Sequence, residues 1–252
     1  MSVFAREQIH IAPNRSSLGE VAAHEIARTF RDLLAIQPGI RVIFAAAPSQ
    51  AEMLASLRAE PGIEWARVTA FHMDEYIGLP EAARQNFRNW LRRELFDHVP
   101  VRTELLVPGD DPSAAARSYV RQLAASPIDV VCLGVGVNGH LAFNDPPASF
   151  EDPEDARVVT LHAASREQQV SDGCFEALHA VPTQAITLTI PRLLRAGRLF
   201  CCVPGALKEA AVTRAFTGAV DASSPASILR THPSCRVFLD ADSASGLQAD
   251  QG

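Results

Sequence analysis

The feature that most constrains the fold is a regular alternation between short apolar runs and segments of helical period. "RVIFAAA" (41–47), "ARVTAF" (66–71), "IDVVCLGVG" (128–136), "ARVVTLH" (156–162), "AITLTI" (185–190), "RLFCCV" (198–203) and "CRVFLD" (235–240) have strand length and strand composition. Between most of them lie "SSLGEVAAHEIARTFRDLLAI" (16–36), "SQAEMLASLRAE" (49–60), "ARQNFRNWLRRELFDHV" (83–99), "PSAAARSYVRQLAAS" (112–126) and "KEAAVTRAFTG" (208–218), which read as helices. Such an alternation predicts an α/β fold of modified Rossmann-like type, a mostly parallel sheet with helices on both faces. "IDVVCLGVG" is the most apolar run and is expected at the centre, because strands buried on both faces lose the alternation of polar and apolar residues. Ser17 and Glu20 have capping-box spacing for the first helix, and Gln37-Pro38-Gly39 stops it. "HMDEYIGLP" (72–80) reads as a polar loop at a strand's carboxyl end.

Length and composition set the outer limits. At 252 residues with no repeat and no linker, residues 1–240 are expected to form one α/β domain, and the polar stretch 241–252 a disordered tail. A net charge of -6 provides no basic field for nucleic acid or an anionic membrane surface. The first ten residues contain no apolar core of a signal peptide, and no apolar run is long enough to span a bilayer. The five cysteines are odd in number, include the adjacent Cys201 and Cys202, and contain no C-x-x-C pair. Buried free thiols in a reducing cytoplasm are the expectation.

Directly after the most apolar run, "LGVGVNGHLAFNDPP" (133–147) contains a literal G-x-G-x-x-G at Gly134, Gly136 and Gly139. A dinucleotide fingerprint needs its last glycine in a helix whose N-terminus receives the pyrophosphate. Pro146 and Pro147 oppose such a helix, so the pattern lacks its context. What remains is a loop carrying Asn138, His140, Asn144 and Asp145 beyond a buried strand. The "HMDEY" loop ends another strand, and ligands of open α/β sheets bind beyond the strands' carboxyl ends. The two loops would bring Asp74, Glu75, His140 and Asp145 to one crevice, where carboxylates and an imidazole can move protons near neutral pH. His72, Asp74, His140 and Asp145 show no metal-ligand spacing.

"FHMDEYIGLP" and "LGVGVNGHLAFNDP" together closely resemble the paired signatures of glucosamine-6-phosphate deaminases (isomerases), usually F-N-M-D-E-Y-x-G-L and G-x-N/D-G-H-x-A/G-F-N-E-P. The likeness runs from the first strand to "THPSCRVFLD". The related 6-phosphogluconolactonases carry a loop more like G-P-D-G-H-T-A-S-L-F-P, so this chain sides with the deaminases. The resemblance implies a deaminase/isomerase-like hydrolase that converts an amino-sugar 6-phosphate to fructose 6-phosphate and ammonia. A small sugar phosphate is the implied partner, with no metal or organic cofactor, and a homo-oligomer remains compatible. By the same resemblance Asp74 is the base at carbon 2, His140 the proton shuttle of ring opening, Asp145 the carboxylate paired with it, and Asn138 a site position that varies between Asp and Asn. Lys208, Ser49 and Ala47 fall in phosphate-binding segments, and Gly139 lets the backbone approach the substrate.

The chain departs from the pattern where a phosphate should sit. The family's first loop, typically P-T-G-G-T-P, is here "AAAPSQ" (45–50), without a glycine. A phosphate-contacting arginine corresponds to Gln169, with Arg166 one helical turn earlier. His72 replaces an Asn, and Asp145 is one methylene shorter than the family's Glu, which predicts a looser or water-bridged contact with His140. Two alternatives stay open at this level: a 6-phosphogluconolactonase-like hydrolase, and a non-catalytic sugar-phosphate binding protein.

Overall fold

The computed structural model describes residues 8–249. Its strands are β1 (Ile9–Ala12), β2 (Ile40–Phe44), β3 (Val68–His72), β4 (Asp74–Tyr76), β5 (Arg102–Thr103), β6 (Val130–Leu133), β7 (Ala156–Thr160), β8 (Gln184–Leu188), β9 (Arg198–Val203) and β10 (Cys235–Asp240). Its helices are α1 (Arg15–Ile36), α2 (Ala51–Ala59), α3 (Phe87–Glu94), α4 (Pro112–Ala124), α5 (Ala163–Ser171), α6 (Ile190–Leu194), α7 (Glu209–Thr217) and α8 (Ser245–Ala249).

Seven strands form one sheet in the order β1-β10-β9-β6-β2-β3-β5, every neighbouring pair parallel. The most apolar run, β6, is the central strand, as its composition predicts. Successive residues of each strand enter opposite cores. Val42, Phe44, Val130, Cys132, Phe200 and Cys202 face a cluster with Ala22, Ile26 and Phe30 of α1 and Leu54 and Leu57 of α2. Ile43, Val131, Leu133, Leu199 and Cys201 face Tyr119 and Leu123 of α4 and Ala211 and Val212 of α7. This period of two is why strands that read as continuously apolar still have two distinct faces. It also sends Cys201 and Cys202 to opposite sides of the sheet. All five cysteines are free, four of them buried and Cys174 half-buried.

The remaining strands make a second sheet in the order β4-β8-β7, antiparallel throughout. The sequence reading placed "ARVVTLH" and "AITLTI" in the main sheet and "HMDEY" in a loop; all three segments build this small sheet instead. The polar letters Asp74, Glu75 and Tyr76 are all buried, so residue polarity misstates their environment. Helix starts also differ from the expectation. Asn14, not Ser17, caps α1, its side chain accepting from the Ser17 amide at 3.0 Å. Residues 241–249, expected as a disordered tail, form turns and α8. Ser243 and Ala244 are fully buried there, and Ser243 donates its amide to Asp240 at 2.8 Å; residues 250–252 lie outside the described residues. No described helix is long and apolar enough to cross a membrane.

Candidate active site

The chain runs outward from β2 to β3 and β5, then returns to β6 on the other side of β2. The carboxyl ends of β2 and β6 therefore diverge, which opens a crevice at the reversal of strand order. A cleft lies there, lined by Ala45–Ala47, Ser49 and Gln50 after β2, by Gly134–Gly136 after β6, and by Met73, Asp74, Phe87, His140, Ala142, Phe143, Gln168, Gln169 and Lys208. Of the residues expected from sequence, Asp74, His140, Ser49, Ala47, Gln169 and Lys208 line this one cleft. Asn138, Gly139 and Asp145 stand behind it.

The glycines serve the local packing of this loop. A Cβ on Gly136 would lie 2.2–2.4 Å from three atoms of the His140 ring, and one on Gly134 would lie 2.7 Å from Gln50 Nε2. Gly139 has φ +89, open to glycine and strained for other residues. Only turns and isolated bridges follow, with no helix after Gly139, so nothing there resembles the helix N-terminus of a dinucleotide site. Gly139 shapes the turn that presents His140; it does not line the cleft.

β8 brings the two motifs together. Asp74 pairs with Thr187, and the Leu188 amide donates to Met73 O at 2.8 Å. From the other motif, the Phe143 amide donates to Thr187 Oγ1 at 3.0 Å and Asn144 Nδ2 to Leu188 O at 2.9 Å. The small antiparallel sheet is thus the frame that sets Asp74 against His140.

Asp74 and Glu75, adjacent in β4, point to opposite sides. Asp74 faces the cleft, and its carboxylate accepts no hydrogen bond from the described residues. Burial, followed by the charge of Glu75, raises its pKa well above the usual carboxylate range. Glu75 turns away from the cleft, contrary to expectation. Its oxygens accept from the amides of Tyr76, Phe87 and Arg88 at 3.0–3.1 Å and from Arg88 Nη1 at 2.8 Å. It anchors the start of α3 by taking the free amides of the first helical turn. His72 is buried too. Nδ1 donates to Asp74 O and Nε2 accepts from the Leu106 amide, each at 2.9 Å, and burial lowers its pKa to about 4.

His140 Nδ1 lies 3.3 Å from Asp145 Oδ1, a long separation for a hydrogen bond. Ser165 of α5 touches both, its Oγ 3.0 Å from His140 Nδ1 and 2.5 Å from Asp145 Oδ1, so the three atoms form a closed triangle. Asn138 closes the network: Nδ2 donates to Asp145 Oδ1 at 2.8 Å, and Oδ1 accepts from the His140 amide at 3.1 Å. Burial raises the Asp145 pKa, but the close approach and charge of His140, with the hydrogen bonds from Ser165 and Asn138, outweigh it and hold the group below the ordinary range. The looser contact expected of a shortened carboxylate is present, and a serine hydroxyl, which the sequence did not suggest, touches both groups. Ser165 escapes sequence reading because no motif marks it, although it lies one residue before Arg166 on the segment that carries Gln169.

At the cleft's other end Lys208 is 6% exposed, and no described acidic group forms an ion pair with it. Burial lowers its pKa to about 8 against the weak opposing pull of Asp172. An ammonium held there without an ion-pair partner among the described residues is costly, and a bound anion would offset that cost. Ser49 caps no helix: Gln50 precedes α2 and makes no side-chain cap bond. Ser49 is free to offer its hydroxyl, while Gln50 Nε2 donates to it at 3.2 Å. Arg166 does not make up for the missing arginine, since its guanidinium donates to Leu178 O and Val181 O at 2.7 and 3.0 Å, away from the cleft. Among the described residues no group of three or more His, Cys, Asp or Glu could hold a metal ion.

Residues 13–237 match the family model described as glucosamine-6-phosphate isomerases/6-phosphogluconolactonase. Glucosamine-6-phosphate deaminases of Bacillus thuringiensis and Bacillus anthracis are 32% identical over 185 residues, covering 73% of this chain and 69% of theirs. A solved monomeric glucosamine-6-phosphate deaminase superposes with a TM-score of 0.87 at 25% identity, covering 94% of this chain and 99% of that one. The 6-phosphogluconolactonase of Thermotoga maritima shares the fold, with a TM-score of 0.76 at 16% identity over 92% of this chain and 98% of its own.

Proposed function

Because the chain belongs to the glucosamine-6-phosphate isomerase/6-phosphogluconolactonase family, we propose that it converts an amino-sugar 6-phosphate, glucosamine 6-phosphate foremost, to fructose 6-phosphate and ammonia. The observation that carries this reading is the cleft itself. A desolvated carboxylate and a carboxylate-backed imidazole stand at one end of it, and a buried, unpaired ammonium at the other. Phosphate sits against Lys208 and Ser49, with Gln169 as a neutral partner in place of arginine. The sugar then lies across the floor made by Ala45–Ala47 and Gly134–Gly136.

Each proton has an acceptor in this arrangement. His140 takes the proton of the anomeric hydroxyl and returns one to the ring oxygen, which opens the sugar to the aldehyde. Asp74 removes the proton on carbon 2, and the electron pair moves into a carbon 1–carbon 2 enolamine. The same carboxyl returns the proton to carbon 1, leaving a ketimine at carbon 2. Water adds to that carbon and ammonia leaves, so the net conversion consumes water and is formally hydrolytic. A carboxylate with a raised pKa and no hydrogen bonds is a stronger base toward carbon than an exposed one. Lactone hydrolysis would not need that base. Asn138 and Asp145 act by orienting His140.

All side chains invoked come from one chain. Five free thiols are in keeping with a reducing cytoplasm. The test is a panel of glucosamine 6-phosphate, galactosamine 6-phosphate and 6-phosphogluconolactone, scored for ketose phosphate, ammonia, acid release and thermal shift. Formation of fructose 6-phosphate and ammonia in equal amounts is expected from wild type, and none from Asp74→Asn. Lactone consumption alone would move the assignment to the lactonases, and binding without turnover would make the protein a sugar-phosphate binder.

A further inference from the structure

Ser165 has no assigned part in the reading above, yet it is wholly buried and touches both members of the His140–Asp145 pair. Hydrogen-bond accounting settles which way its proton points. Asp145 is held ionised and therefore can only accept, so at 2.5 Å the Ser165 hydroxyl donates to Oδ1. With its proton committed, Ser165 Oγ can serve His140 only as an acceptor. The 3.0 Å contact then requires a proton on Nδ1. Asn138 agrees with this arrangement: its Oδ1 is taken by the His140 amide, so Nδ2 must be the group facing Asp145. The neutral imidazole is left with its lone pair on Nε2, which meets no partner among the described residues on a ring that lines the cleft.

We propose that Ser165 is a positioning residue that pins Asp145 beside His140 and holds the imidazole as its Nδ1–H tautomer, with Nε2 facing the substrate. Asp145 Oδ1, Ser165 Oγ and His140 Nδ1 form a triangle of 2.5, 3.0 and 3.3 Å, so the hydroxyl holds the carboxylate beside the ring, where its charge stabilises the imidazolium when Nε2 takes up a proton. The same helix is tied to the loop a second time, Gln168 Oε1 accepting from the Val137 amide at 3.0 Å. α5 is thereby fixed to the catalytic loop through one bond to its backbone and one to its imidazole. This inference rests on reading the cleft as a proton-transfer site, but not on any particular sugar.

The test joins histidine ring-nitrogen NMR on the full chain to steady-state kinetics. His140 is assigned by the resonances lost in His140→Gln. Wild type is expected to show the neutral Nδ1–H form with a slowly exchanging ring proton. In Ser165→Ala that proton should exchange faster, and kcat should fall roughly tenfold with KM nearly unchanged. Ser165→Thr, which keeps a hydroxyl, should restore both. In an Asp145→Glu background, where the longer carboxylate reaches the ring, Ser165→Ala should cost less than about threefold. An Nε2–H tautomer in wild type would overturn the proposal. So would a ring proton and kcat indifferent to Ser165→Ala, or an equal loss in the Asp145→Glu background. If no amino-sugar phosphate is turned over, the functional reading fails while the NMR arm still decides the tautomer.

Discussion

Lys208 shows most clearly how a single residue can trade stability for binding. Its pKa is lowered to about 8 by burial, from 10.5 for an exposed lysine, so the charged form is disfavoured at neutral pH by roughly 3 kcal/mol. Lys208→Met should therefore raise the melting temperature of the ligand-free protein by several degrees. The same variant should lose most of the thermal shift that inorganic phosphate gives wild type. Scanning calorimetry with and without phosphate checks both, and a destabilised Lys208→Met would contradict the account. The pH profile carries a second sign. Deprotonation near 8 removes the anion's partner, so kcat/KM should fall on the alkaline side near that pH in wild type, and later in Lys208→Arg, whose guanidinium stays charged. Legibility at this scale was uneven. Asp74 and His140 were readable because each sits in a motif at a strand's carboxyl end, and Lys208 because its segment resembles the family's. Ser165 was not, because its meaning lies in a contact twenty residues away from Asp145 and twenty-five from His140.

Elements took their type from local pattern and their partners from elsewhere. β9 and β10 coincide with the runs read from sequence, and α4 begins at Pro112, as its first-turn proline predicts. The start of α1 shows where local pattern misleads. Ser17 has a Glu three residues on, but Asn14 makes the cap bond, so Asn14→Ala should cost about 1 kcal/mol and Ser17→Ala less than about 0.5 kcal/mol. Urea unfolding of the two variants separates them, and the reverse ranking would restore the Ser17 cap. β4 shows the stronger limit. "DEY" has the composition of a loop, yet β8 supplies backbone partners on one side while the amides at the start of α3 and Arg88 neutralise Glu75 on the other. A strand of polar letters is stable inside a protein when each polar group meets a partner, and no window of sequence reveals those partners.

For the whole molecule, His72 ties stability to pH. Its folded pKa of about 4 lies below the ordinary value of 6.5, so unfolding takes up a proton between those two values. The stability that depends on neutral His72 is complete above about pH 6.5 and is lost as pH falls toward 4. Asp74 acts in the opposite sense, because its raised pKa means that folding binds a proton as the medium becomes acid. The difference between wild type and His72→Asn isolates the histidine. Urea midpoints at pH 7, 6, 5 and 4.5 should fall more steeply in wild type, by a total approaching ~3 kcal/mol; parallel profiles would show that His72 stays neutral for another reason. The sequence by itself determined the parallel α/β sheet, the central place of β6, the absence of a dinucleotide-type helix after Gly139, and most of the polar side chains that line the cleft. These follow from periodicity, from proline and glycine stereochemistry, and from short motifs, all of which act over a few residues. Only the tertiary structure decided that a second, antiparallel sheet frames the site, that Glu75 faces away from the cleft while Asp74 faces into it, and that a serine completes the histidine–carboxylate pair. Those outcomes depend on which distant groups satisfy a buried polar atom, and that is settled when the chain packs.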